Sequence, residues 1–243
     1  MTCSPRPVRR WLAASAVAAA LLTSACSPGG GETETDDAES PVPENPLPEP
    51  EYEGDDTIRL PVAMVSPAGH SERAPIGEDG TLESDLAPGA QLDNTGVSQP
   101  HPHMTEIART GTFGCGDTIS VVQTVPMVTD DAASAALGFL LQDQLYSHGD
   151  PAFINALAVS ADSLELDSVS VDGDTVTVQL SGEAVTRSYC EAWQALKQVE
   201  TTAIVATGTR SANVLLNGEP MAAHLGVDDD GTPLEIIQIQ RDD

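Results

Sequence analysis

The sequence predicts an α+β domain, a mixed β-sheet with two main helices packed on one face, in the order β-β-α-β-β-α-β-β. Three observations lead there. Two short alternating runs, LELDSVSV and TVTVQLSG, meet at Asp172-Gly173-Asp174, the strongest short-range signature of a β-hairpin. A helical period follows, with Tyr189, Trp193, Leu196, Val199, Ala203 and Ala206 three or four apart and Gly208 placed to stop it. A second helical period, through Ala133, Ala136, Leu137, Leu140 and Leu141, stands behind the strand-like run ISVVQTVPMV. A half-buried hairpin and an amphipathic helix each leave an apolar face that only another element can cover, so these segments predict a shared core.

From the start, Arg6, Arg9 and Arg10 precede an uncharged run, Trp11 to Ala25, that meets Cys26. A basic head, a short apolar stretch and small residues at the end describe a secretory signal, too short for the ~20 residues of a spanning helix. The string LLTSAC resembles a bacterial lipobox, in which cleavage makes the cysteine the first mature residue and attaches lipid to it. The expected division is therefore a signal at 1–25 and a lipidated Cys26. An ordinary cleaved signal with Cys26 as an incidental thiol is the alternative. Two palmitate-class chains hold a protein at a membrane stably where one does not, so the expected location is the extracytoplasmic face of the cell membrane.

Residues 26–56, rich in Pro, Glu and Asp, cannot offset the entropy of ordering and read as an acidic tether. Removing 1–25 takes three of the ten Lys+Arg and none of the 38 Asp+Glu, leaving seven positive charges against 38 negative. No basic stripe remains, which excludes nucleic-acid binding; the plain reading of the charge is solubility, and a cationic partner or divalent ions are the alternative. Of the four cysteines, Cys3 falls in the signal and Cys26 takes the lipid. Cys115 and Cys190 remain, and two cysteines in an exported domain most simply form a disulfide. A redox or nucleophilic role would need a neighbouring cysteine or histidine in the sequence.

Residues 57–243 read as a single domain. Thr57 to Val65 suits a first strand, with Pro61 placing it at an edge or bend. From Ser66 to Arg109 the pattern dissolves into Gly, Pro, Asp, Ser and His, which reads as a mobile insertion. Thr129-Asp130-Asp131 offers capping oxygens to the first helix. Asp150-Pro151 starts a short helical turn through Phe153, Ile154 and Leu157. The hairpin's apolar residues change parity between Leu164/Leu166 and Val169/Val171, which places a bulge near Asp167-Ser168. Ala212 to Leu216 forms a strand ended by Asn217-Gly218. After a loop with His224, Leu234 to Ile239 supplies the last strand. With seven aromatics after the signal, the core must rest on Leu, Val, Ile and Ala.

Four stretches together resemble a GerMN domain of the sporulation and spore-germination type. GCGD (Gly114 to Asp117) leads into a strand ending at Val125-Pro126, and AASAALGFLL follows as a helix. The hairpin SLELDSVSVDGDTVTVQLSG comes next, then YCEAWQALKQVETTA and VLLNGEP. The likeness runs from about Gly114 to Leu225. It implies an exported, often lipid-anchored module without established catalysis, similar in fold to ring-building modules. Such modules work through surfaces that pair with envelope proteins or with further copies.

No catalytic constellation stands out. Ser147-His148-Gly149-Asp150 contains triad residue types, but a triad is defined by spatial geometry, and His148 falls in a predicted helix connection where exposure is expected. His101 and His103, with His70, lack further ligands at metal-site spacing. The expectation is a non-enzymatic lipoprotein without cofactor or metal, binding protein partners or supporting envelope assembly. The rival is a small-ligand or cation-binding lipoprotein that uses the acidic insertion and its histidines.

Overall fold

The computed structural model describes residues 47–48, 50–52, 54, 56–67, 105–148 and 153–239, all within the compact unit Val42–Asp243. The signal, Cys26, most of the tether and insertion, His70, His101, His103 and Asp150-Pro151 lie outside the described residues.

The chain is α+β. A short antiparallel pair, β1 (Glu51–Tyr52) and β2 (Ile58–Arg59), precedes β3 (Pro61–Ser66), β4 (Glu106–Thr110) and β5 (Thr118–Gln123). Then come α1 (Ala132–Gln142), β6 (Ser147–His148), β7 (Phe153–Ile154) and a 3₁₀ turn at Ala158–Ser160. The hairpin β8 (Leu164–Asp172) and β9 (Thr175–Gly182) leads into α2 (Tyr189–Thr207). The chain continues through β10 (Ser211–Leu216), β11 (Glu219–Pro220), α3 (Met221–Leu225) and β12 (Ile236–Gln238).

These strands do not form one large sheet. An antiparallel six-stranded sheet runs β12-β4-β5-β3-β7-β6, and a four-stranded sheet runs β11-β10-β9-β8. In the second, β9 and β10 are parallel, joined by α2 as a crossover, while its other pairs are antiparallel. Helix α2 packs on strands of both sheets and on α1. From Glu191 to Ala206 every residue except Trp193 is buried, so this helix is the middle of the domain, with neighbours all round. The predicted one-sided stripe is corrected accordingly. Leu196, Val199, Ala203 and Ala206 face the core as expected, but Tyr189 is 57% exposed.

A helix enclosed on every side must satisfy its polar side chains internally, and α2 does so by finishing other elements. Strand β3 pairs with β5 along its length but with β7 only at Val65. That leaves backbone groups of Ala63 without a strand partner. Gln198 Nε2 donates to Ala63 O (3.0 Å), Thr202 Oγ1 accepts from Ala63 N (3.0 Å), and Gln198 Oε1 accepts from Ala156 N (3.0 Å). Two helical side chains thus take the place of a missing strand along a buried edge.

Local signals account for the element ends. Asp131 caps α1 by accepting from Ser134 N (3.0 Å), and α1 buries Ala133, Ala136, Leu137, Leu140 and Leu141. Ser188 caps α2 through Glu191 N (3.1 Å), while the Glu191 carboxylate reaches back to Arg187 N. The hairpin register shifts between Leu166 and Ser168, the position of the expected bulge. Asn217 and Gly218 both have positive φ, 53° and 85°, and make a two-residue turn that closes β10 onto β11.

Two segments differ from expectation. Strand β4 occupies the end of the supposed insertion; its inward residues are Glu106, Ala108 and Thr110, so its pattern is the inverse of a hydrophobic strand. Phe153 and Ile154 form β7 rather than a helical turn, because pairing with His148 and Val65 closes the sheet there. The core itself rests on Leu60, Val62, Met64, Ile119, Leu137, Leu140, Leu180 and Leu196, each at most 1% exposed.

Candidate functional site

Cys115 and Cys190 are joined, with Cα atoms 5.6 Å apart. Cys115 lies in the turn closed by Phe113 and Asp117, and Cys190 in the first turn of α2. Gln194 Nε2 donates to Asp117 Oδ2 (2.8 Å), and Gly114 lies against Trp193, where a Cβ would come within 3.1 Å of the Trp193 Cβ. The covalent link is therefore one of several contacts that dock this turn onto the start of α2.

The triad-type string does not assemble. Ser147 is exposed, and Gly149 and Asp150 lie outside the described residues. His148 is 5% exposed, which corrects the expectation of a solvated loop histidine. Its Nε2 lies 2.6 Å from Asp143 Oδ2 and 3.2 Å from Leu145 O. Asn155 Nδ2 donates to Leu140 O (3.0 Å) and Asp143 O (2.9 Å). Burial opposes the charge on Asp143, but bonds from His148, Leu145 N and Asn155 outweigh it and hold the carboxyl below its usual range. This cluster closes the C-terminal end of α1 against β7, with a structural geometry. His224 sits on α3 and is exposed. Among the described residues, no three His, Cys, Asp or Glu side chains come together in a way that could hold a metal ion.

A different group has the properties of a site. Lys197, on the wall of α2, has a side chain 3% exposed. Its Nζ donates to Glu200 Oε2 (2.8 Å), to Asp229 Oδ1 (2.8 Å) and, at 3.5 Å, to Thr232 O. The Trp193 ring lies 5.7 Å away, within cation–π range. Two carboxylates thus share one ammonium, and the cluster carries one negative charge more than it neutralises when all three are ionised. Burial, the largest influence, pushes the Glu200 carboxyl up to about 7, against the pull of Lys197 and with a further push from Asp229. Burial works against the Lys197 charge too, but attraction to Glu200 and the bonds from both carboxylates win, so its pKa rises above the ordinary lysine value.

These carboxylates open onto a cleft of about 300 Å³ between α2, β10 and the segment after α3. Leu196, Val214 and Pro220 supply apolar wall; Glu200, Asp229 and Asn213 supply polar groups. Lys197 is not in the lining, so the cleft meets the anionic side of the cluster and not the ammonium. Sequence reasoning missed this site. Lys197 and Glu200 read as the wet face of an amphipathic helix, and nothing local links either to Asp229.

What these features define is an α+β domain with two main sheets, a central buried helix, a disulfide and an anionic cleft. No protein family matches the chain by sequence, and no curated protein does. Among solved structures, the tandem GerMN domains of the sporulation protein GerM from Bacillus subtilis are similar to it at a TM-score of 0.33 and 11% identity. That similarity covers 66% of this chain and 49% of the GerM chain, so this chain spans about half the length of that structure.

Proposed function

We propose that this is a lipid-anchored, extracytoplasmic protein whose folded part docks onto protein partners of the cell envelope and catalyses no reaction. What supports the reading is a leader-like stretch at 1–25 that meets Cys26 in the sequence, combined with a disulfide between Cys115 and Cys190. Closed disulfides belong to oxidising compartments, and the leader supplies the route to one. Residues 26–56 then separate the domain from the lipidated end by an acidic, proline-rich stretch. The buried polar groups described above serve packing in most places, which suits a rigid platform, and the anionic cleft offers a contact to a basic partner.

The experiment follows the full chain in intact cells, with Cys26→Ala beside it. The parent partitions with membranes, carries a diacylglyceryl mass on its mature N-terminal peptide, and gives discrete photocrosslinks to envelope proteins or to further copies. The variant loses the lipid and the membrane partition. Retention of residues 1–25, a reduced Cys115–Cys190 pair, or a turnover activity in the purified protein would overturn the reading.

A further inference from the structure

We propose that the cleft between α2 and β10 is the docking pocket for one lysine side chain of a partner protein. Its ammonium sits against Glu200 and Asp229, and its methylene stem lies along Leu196, Val214 and Pro220. This rests on the docking function argued above and names the chemistry of its contact.

Three observations meet here. First, one ammonium serves two carboxylates: Lys197 Nζ donates to Glu200 Oε2 and to Asp229 Oδ1, each at 2.8 Å, so these three groups carry one negative charge in excess when all are ionised. A residual anionic charge at groups this buried is costly unless a proton or a second cation joins it. Second, the free side of the pair faces the cleft. Glu200 is only 9% exposed as a residue, yet it lines the opening with Asp229 while Lys197 stands behind. Third, the opening suits a long apolar stem with a charged tip. Its wall is mostly aliphatic, Glu200 and Asp229 supply its charged groups, and a volume of about 300 Å³ admits a single side chain. The cleft offers a bare metal ion two carboxylates, short of the three His, Cys, Asp or Glu side chains that could hold one among the described residues. An ammonium finds the arrangement that the protein already uses for its own lysine. The formal charge of −28 steers basic partners toward the surface.

The same geometry makes a proton the ligand's competitor. The charged groups facing Glu200 are Lys197 from its own helix and Asp229 from the segment after α3; the fully exposed Asp230 acts only at a distance, on Lys197. A proton on Glu200 cancels the charge that attracts the incoming ammonium. Binding near neutral pH therefore releases a proton, and acid weakens it.

The test titrates the full-length protein with n-butylammonium chloride, with n-butanol and calcium chloride as comparison probes, and follows backbone amide NMR signals. Saturable shifts at Asn213, Val214 and Gly231 with n-butylammonium are expected, about tenfold weaker at pH 6 than at pH 8. Ala222→Phe, at a half-buried position of the wall, blocks them while the rest of the spectrum stays native. Glu200→Gln weakens them at pH 8 and removes the pH dependence. Equal response to n-butanol, saturation by calcium alone, or no saturable shift would overturn the pocket. Envelope crosslinks that persist beside an unresponsive cleft would overturn the lysine pocket and leave the docking function standing. A responsive cleft in a protein that captures no partner in cells would overturn the docking function and leave an amine site.

Discussion

Replacing Glu200 with glutamine keeps a side chain of nearly the same shape, and its Oε1 can still accept from Lys197, but it removes the charge that burial disfavours. In the native protein this carboxyl titrates at about 7, against an ordinary value of 4.5. The folded state therefore holds its proton more tightly than the unfolded state does. The stability that this preference contributes is fully present below pH 4.5 and is lost as the pH rises through about 7. At ~1.4 kcal/mol per pH unit of displacement the loss amounts to at most ~3 kcal/mol. Glutamine imitates the protonated acid at every pH. The expected result is that Glu200→Gln and the parent have similar stability at pH 5, while the variant is more stable by up to ~3 kcal/mol at pH 8. Urea unfolding of both proteins at pH 5, 6, 7 and 8 checks it, and the difference between their curves cancels every other titrating group. Parallel pH profiles, with one constant offset, would refute the reasoning about this cluster.

Other expectations follow from the packing. Reducing the Cys115–Cys190 bond, or replacing both cysteines with serine, frees a loop with a sequence separation of 75; the chain-entropy cost is ~4.5 kcal/mol, visible as a lower urea midpoint, and an unchanged midpoint would contradict it. Gln198→Leu preserves volume but leaves Ala63 O and Ala156 N without their partners, so it should destabilise by ~2–4 kcal/mol; a neutral result in thermal unfolding would mean that this strand edge finds other partners. Gly182 has φ +99°, and a Cβ there would lie 1.9 Å from Ser163 O. Gly182→Ala must therefore shift the backbone where β9 ends, at a cost of at least ~2 kcal/mol, and native-like stability of that variant would exclude the close approach.

How much of this was legible beforehand depended on whether a segment's signal is local. The N-cap at Asp131 and the five buried residues of α1 follow from spacing and a short-range hydrogen bond. So do the bulge near Asp167-Ser168, the stop at Gly208 and the Asn217-Gly218 turn. Strand β4 was illegible because Glu106 and Thr110 face inward, where a polarity pattern places them outward. Strand β7 was illegible because two apolar residues after a proline suit a helical start as well as a strand, and only the pairing partners decide.

By itself the amino-acid sequence determined the α+β class, the hairpin, the two main helices, the start of the first and the stop of the second. All of these depend on contacts within a few residues. The tertiary structure alone decided that the strands from β3 onward divide between two sheets and that α2 is enclosed by neighbours on every side. It likewise decided that Lys197, Glu200 and Asp229 form one buried cluster at a cleft. The physical reason is that periodicity reports which side of a segment avoids water only when another side meets it. Once packing surrounds a helix, its polar residues are placed by partners distant along the chain, as Asp229 is from Lys197.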